Sequence, residues 1–178
     1  MKRLLLVTGS RALSDFPEAQ DWAWGLLAGL IAPGDWDVVL SGGCPGSPDV
    51  WASELSGRAS VVWVEYRIDG MRTGSDGKSH AWWNGAGKPR PHQRNQAMVD
   101  LLAKQQAAGW TVQTVGLLAP WSTTRGTSVT LEMARKAGLL TEDHTCPATV
   151  TAKTCSCGRG MVRRWTSWTC CCGQAELR

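Results

Sequence analysis

Leu4-Leu5-Leu6-Val7-Thr8-Gly9-Ser10-Arg11 is the stretch from which the fold is read. Its apolar residues run without alternation, as in a strand covered on both faces, and such strands belong to parallel sheets. Lys2 and Arg3 precede it, yet the apolar run is too short for the core of an export signal or for a membrane span. Gly9 breaks the strand. Pro17 then stands where a first helical position is expected, and Ala19, Trp22, Ala23, Leu26, Leu27 and Leu30 recur at helical spacing up to Pro33-Gly34.

This β-α unit repeats along the chain. Val38-Val39-Leu40 reads as a short strand, and Ser41-Gly42-Gly43-Cys44-Pro45-Gly46 as a turn into a helix from about Pro48 to Ser56. Residues 60–64 read as a third strand, 92–107 as a helix, 111–118 as a strand, and 127–137 as a helix ended by Gly138. Between them, residues 66–91 show no clear period and read as a long functional loop containing Trp82-Trp83. The expected fold is α/β: a Rossmann-like three-layer αβα body with a mostly parallel sheet, plus a small cysteine-rich C-terminal zinc-binding subdomain. The boundary is expected between residues 143 and 144.

Composition supports this division. With 43% hydrophobic and 19% charged residues the chain is globular, and 178 residues suffice for one core and one small appendix. The tail holds Lys153, Arg159, Arg163, Arg164 and Arg178 against the single Glu176, which accounts for the whole net charge of +4. A polyanion partner would therefore meet the tail, while phosphate binding in the body must rest on a few placed groups. Six of the seven cysteines lie from Cys146 onward. Without an export signal the protein is expected in the cytoplasm with reduced thiols and no membrane partner, and reduced thiols in a cluster favour metal.

Ligands of parallel α/β sheets bind at the carboxyl ends of the strands. Four segments here reach those ends: Gly9-Ser10-Arg11, Gly42-Gly43 with Asp49 in the following helix, the long loop, and Pro120 to Thr127. Glycines let backbone amides approach an anion, and helix N-termini orient amides toward it. Asp49 has a second reading, as a plain partner of its own helix dipole. Arg94-Asn95 opens a helix where a guanidinium suits a phosphate or carboxylate, and Arg125-Gly126-Thr127 repeats the anion-friendly pattern.

The ordered set of these motifs, with Trp83 through Gly87 to Pro91, Met98-Val99 and Ala134 to Gly138, resembles the SLOG superfamily of nucleotide binders, in particular its YspA-like branch. The similarity spans about residues 3–140. It implies binding of a small nucleotide or nucleotide-derived ligand, ADP-ribose-like or a nucleoside monophosphate. The related LOG-type phosphoribohydrolases carry a Pro-Gly-Gly-x-Gly-Thr-x-x-Glu loop. Counted from Gly126-Thr127, the glycine pair falls here on Thr123-Thr124 and the Glu on Thr130. Glu132 is rotated about 200° around a helix from that position. N-glycosidic cleavage needs a carboxylate at the reacting centre, so the resemblance favours a binding module that senses, sequesters or presents its ligand over a hydrolase or transferase. Asp69 and Asp76 in the long loop are the alternative carboxylates. The base, the number of phosphates and self-association as a homo-oligomer stay open.

In the tail, Cys155-Ser156-Cys157-Gly158 and Cys170-Cys171-Cys172-Gly173 are near copies, separated by twelve residues. Two such turns can present four thiolates to one structural Zn²⁺ in the manner of a zinc ribbon, through Cys155, Cys157, Cys170 and Cys172. Ribbon knuckles normally have two residues between ligands, so Cys146, Cys171 or His144 stands as a replacement for one of the four. Trp165 and Trp168 beside Arg163 and Arg164 would suit nucleic acid as stacking and phosphate-gripping groups, and equally suit burial around a metal. Purified protein is expected to contain about one zinc per chain in thiolate-rich tetrahedral coordination. Elemental analysis of protein prepared without chelator checks this, and a metal-free result would remove the zinc reading.

Overall fold

The computed structural model describes residues 1–147 in full and residues 161–164 and 167–170 by their backbone. The body opens with β1 (Arg3–Gly9), a 3-10 turn (Arg11–Asp15), α1 (Pro17–Ile31), β2 (Val38–Ser41), α2 (Pro48–Arg58) and β3 (Val62–Tyr66). It continues with β4 (Met71–Gly74), β5 (Ser79–Ala81), α3 (Pro91–Ala107), β6 (Thr111–Leu118), α4 (Gly126–Lys136) and β7 (Leu140–Thr145). The seven strands form one sheet in the order β5-β4-β3-β2-β1-β6-β7. Pairings from β3 through β7 are parallel, and β4 and β5 add an antiparallel edge.

β1 lies at the centre because it is apolar on both faces. Leu4, Leu5, Leu6 and Val7 are all buried, and the two-residue period of a strand divides them between the layers. Leu4 and Leu6 join Leu40 in a core closed by Met98, Val99 and Leu102 of α3 and Ala134 of α4. Leu5 and Val7 take the opposite face, where Ala19, Ala23, Leu27 and Ile31 form the buried stripe of α1. Each fully buried leucine contributes about 1.5–3 kcal/mol relative to exposure.

Residues 66–91 differ from the loop expected above: they contain β4 and β5. Their strands escape detection because they are short, polar and largely exposed, so they lack the alternation that a half-buried strand shows. The segment is anchored by Trp82, whose indole N–H donates to the Arg67 carbonyl at 2.9 Å and whose ring meets Tyr66 at 5.6 Å.

The chain divides after Cys146, a little beyond the expected 143. The reason is β7, which pairs with β6 through Thr145, and the Cys146 amide, which donates to the Leu118 carbonyl at 2.9 Å. His144 and Cys146 thus belong to the sheet body. Beyond it, β8 (Met161–Arg164) and β9 (Ser167–Cys170) pair as an antiparallel hairpin with Arg163 opposite Trp168 in register. Of the zinc ligands expected from sequence, Cys170 ends β9, while Cys155, Cys157 and Cys172 lie outside the described residues, as does Trp165. Among the described residues no helix is long and apolar enough to cross a membrane.

Gly9 shows how tightly β1 meets α2: a Cβ there would fall within the van der Waals envelope of the Pro48 ring. Gly9→Ala is therefore expected to destabilise the fold by about 1–3 kcal/mol, the range for overpacking. Denaturant unfolding of the variant against the parent checks it, and equal midpoints would show that α2 can shift freely.

Candidate functional site

A cavity of about 410 Å³ opens at the carboxyl ends of β1 and β2. Thr8 to Arg11 follow β1 on one wall, Gly42 to Pro45 follow β2 on another, and Asp49 lies at the start of α2. Arg67, Ile68 and Asp69 enter from the segment after β3, and Pro91, Arg94 and Asn95 from the start of α3. Thr124, Gly126 and Thr127 close the remaining side at the start of α4. Of the ligand-site residues expected from sequence, Gly9, Ser10, Arg11, Gly42, Gly43, Asp49, Arg94, Asn95, Gly126 and Thr127 line this one cavity. Arg125 does not: it is the exposed N-cap of α4 and stands off the wall.

The backbone of the first two turns is already engaged. The Gly9 amide donates to Asp49 Oδ1 at 3.2 Å, and the Ser10 amide donates to the Leu117 carbonyl at 2.9 Å. The Ser10 hydroxyl accepts from the Ala12 amide at 3.3 Å, which caps the 3-10 turn. At the second turn, the Gly43 amide donates to Ser41 Oγ at 3.4 Å, and buried Ser47 caps α2 by accepting from the Asp49 amide at 3.3 Å. Two of the anion grips expected from sequence are thus satisfied inside the protein. The start of α4 is different, since among the described residues Arg125 makes no side-chain capping bond there. An uncapped helix start has unsatisfied amides and a positive dipole end, which favour an anion.

Arg94 and Asn95 act as a brace. Arg94, 9% exposed, donates through Nη1 to the Gly42 carbonyl at 2.5 Å and through Nε to Asn95 Oδ1 at 2.9 Å. Asn95 Nδ2 donates to Thr130 Oγ1 at 2.7 Å, and the Thr130 hydroxyl donates to the Gly126 carbonyl at 2.9 Å. This chain of hydrogen bonds runs from the end of β2 to the start of α4. A guanidinium has five N–H donors, so three remain on Arg94 after the brace is made. Thr130 is fully buried and engaged on both sides, so Thr130→Glu, attractive from sequence as a gain-of-function trial, would bury a carboxylate and cut the brace. Glu132 is exposed and pairs with Lys136 at 2.8 Å, away from the cavity.

Two carboxylates remain in the wall. Asp69 pairs with Arg67 at 2.9 Å and accepts from the Met71 amide at 3.0 Å. Asp76, its companion in the sequence reading, accepts from the Lys78 amide at 3.0 Å in the β4–β5 turn and is not in the wall. Asp49 is almost fully buried, and burial lifts its carboxyl to about 6, against the opposing pull of Arg94 and the amides of Gly9 and Cys44. Cys44, half-buried beside it, has its thiol pushed up by burial and by the Asp49 charge, which keeps it protonated and a poor nucleophile at neutral pH. Gly42 fits between these groups because it has no side chain: a Cβ there would lie 2.7 Å from Asp49 Oδ2 and would overlap Arg94 Nη1.

Sequence reasoning missed Cys44, Pro45, Arg67, Ile68 and Thr124 as wall residues. Arg67 and Ile68 had no local signal, because the fold of the 66–91 segment brings them to the cavity. Cys44 and Pro45 lie within the glycine-rich turn and were legible as its neighbours.

No family model matches the chain, and no curated protein matches it significantly. Among solved structures it is similar to the molybdenum cofactor carrier protein MCP from Chlamydomonas reinhardtii. The TM-score is 0.52 at 19% sequence identity, over 84% of this chain and 81% of that one. At this identity the likeness concerns the fold, a three-layer α/β arrangement around a mostly parallel sheet.

The folded state holds the Asp49 proton more tightly than the unfolded chain, whose carboxyl titrates near 3.8. Between that pH and about 6 the folded state binds more protons, so stability falls as pH rises through this window and then levels off. The full change corresponds to roughly 3 kcal/mol. Asp49→Asn is expected to flatten this slope, which unfolding midpoints across the window would read; an unchanged slope would remove Asp49 as its source.

Proposed function

We propose that the chain binds a small nucleotide or nucleotide-derived ligand at the strand C-termini, holding it without cleaving it. The observation that carries this reading is the convergence, on one cavity, of Arg11, the spare donors of Arg94 and the uncapped start of α4 at Gly126-Thr127. Fixed cations and helix amides together make a site for phosphate oxygens. The apolar wall from Ile68, Pro45 and Pro91 suits a base, which is flat and weakly hydrated on its faces. The similarity of fold to a cofactor carrier agrees with a holding role.

Against cleavage stands the chemistry of position 130, where the LOG-type enzymes carry Glu. Thr130 has no charge and its hydroxyl is occupied. Asp49 already accepts the Gly9 amide, and Asp69 already faces Arg67.

Arg11 is the informative position, because it is exposed and its loss costs the fold little, whereas Arg94→Ala would also orphan the Gly42 carbonyl. Arg11→Ala is expected to weaken binding of a nucleoside 5′-monophosphate by about 1.5–3 kcal/mol, the range for charge-assisted hydrogen bonds. Calorimetry on both proteins, paired with chromatography for released base, tests the proposal. Equal affinities would take Arg11 out of the site, and steady release of free base would replace the carrier reading with the hydrolase one.

A further inference from the structure

Beside the first cavity lies a second of about 400 Å³, between the 3-10 turn, Pro45-Gly46 and the loop after β6. The two share Arg11, Pro45 and Thr124 in their walls. Each falls within the range of roughly 300–1,000 Å³ typical of small-molecule sites, so a mononucleotide filling the first leaves the second vacant. The junction carries a cation, and the far wall has a different character. Ser14, Ser122 and Thr123 supply hydroxyls, Asp15 supplies a carboxylate, and Arg11 is the sole basic side chain among its lining residues. Trp121 forms a fixed panel there: its indole N–H donates to the Ala12 carbonyl at 3.1 Å, and its ring meets Phe16 edge-on at 5.2 Å.

From the shared Arg11 and this hydroxyl-rich wall we infer that the ligand has two lobes, a nucleoside and a second sugar, joined by phosphates that cross at Arg11. The inference rests on the nucleotide reading above and narrows it to sugar-bearing nucleoside diphosphates. Arg11, exposed at the junction, offers a fork of donors to phosphate oxygens from either side. Asp15 accepts hydrogen bonds from a sugar diol and repels a further phosphate. The half-exposed Trp121 ring suits the apolar face of a pyranose or furanose. A second phosphate-rich lobe would instead require more cations than this wall holds.

Calorimetry with ADP, ADP-glucose, UDP and UDP-glucose on the full chain tests the inference. For whichever base is accepted, the sugar-bearing form is expected to bind about ten-fold tighter than the plain diphosphate, as one or two added net hydrogen bonds give. Asp15→Ala should erase most of that gain while leaving the plain diphosphate equal or slightly tighter. Arg11→Ala should weaken both forms, as a junction cation must. Equal affinities of plain and sugar-bearing forms would overturn the two-lobed ligand and leave the nucleotide reading intact. Absence of binding by all four, with AMP and UMP also silent, would overturn both.

Discussion

Two buried charged side chains, Asp49 and Arg94, crowd the space where Gly42 lacks a Cβ, and the geometry of the site depends on this arrangement. Neither group tolerates burial alone, since a charge taken from water must be solvated by dipoles or by an opposite charge. Asp49 finds the amides of Gly9 and Cys44, and Arg94 finds the carbonyl of Gly42. In satisfying themselves, the two side chains tie the end of β1 to the start of α2 and the end of β2 to the start of α3. Asn95 and Thr130 carry the tie onward to α4.

This arrangement redistributes the capacity to hold an anion. Glycine-rich turns are generally taken as anion cradles because their amides point outward. Here the carboxylate of Asp49 occupies the amide of Gly9, and hydroxyls of Ser10, Ser41 and Ser47 occupy others. The turns serve as a rigid frame. What faces the cavity with unspent donors is the flexible Arg11, the remaining N–H groups of Arg94 and the start of α4. A rigid frame with a few mobile or open donors is suited to selecting a ligand by shape and charge, because little ordering cost is left to the moment of binding.

The order of elements was legible along the chain wherever burial imposed a period. The unbroken run Leu4 to Val7 marked a central strand, Pro17 and Pro48 marked helix starts, and Thr111 to Leu118 marked β6, because two-sided or one-sided burial leaves a pattern in neighbouring residues. The β4–β5 edge left none, being polar and exposed on short strands. The meeting of Gly9, Gly42, Arg94 and Gly126 was also legible in outline, since parallel strands place their following loops at one end of the sheet.

The sequence alone determined the residue types available to the site: glycines at strand ends, arginines at positions 11 and 94, no carboxylate at position 130. Only the tertiary structure decided how each is used. Arg94 and Asn95 look like ligand groups in the chain and are largely braces in the fold; Arg125 looks equivalent to Arg11 and stands outside the wall. The physical reason is that a polar side chain's role is set by which donors and acceptors reach it first. Asp49 lies forty residues from Gly9 and Arg94 fifty-two from Gly42, separations across which no local pattern records a partner.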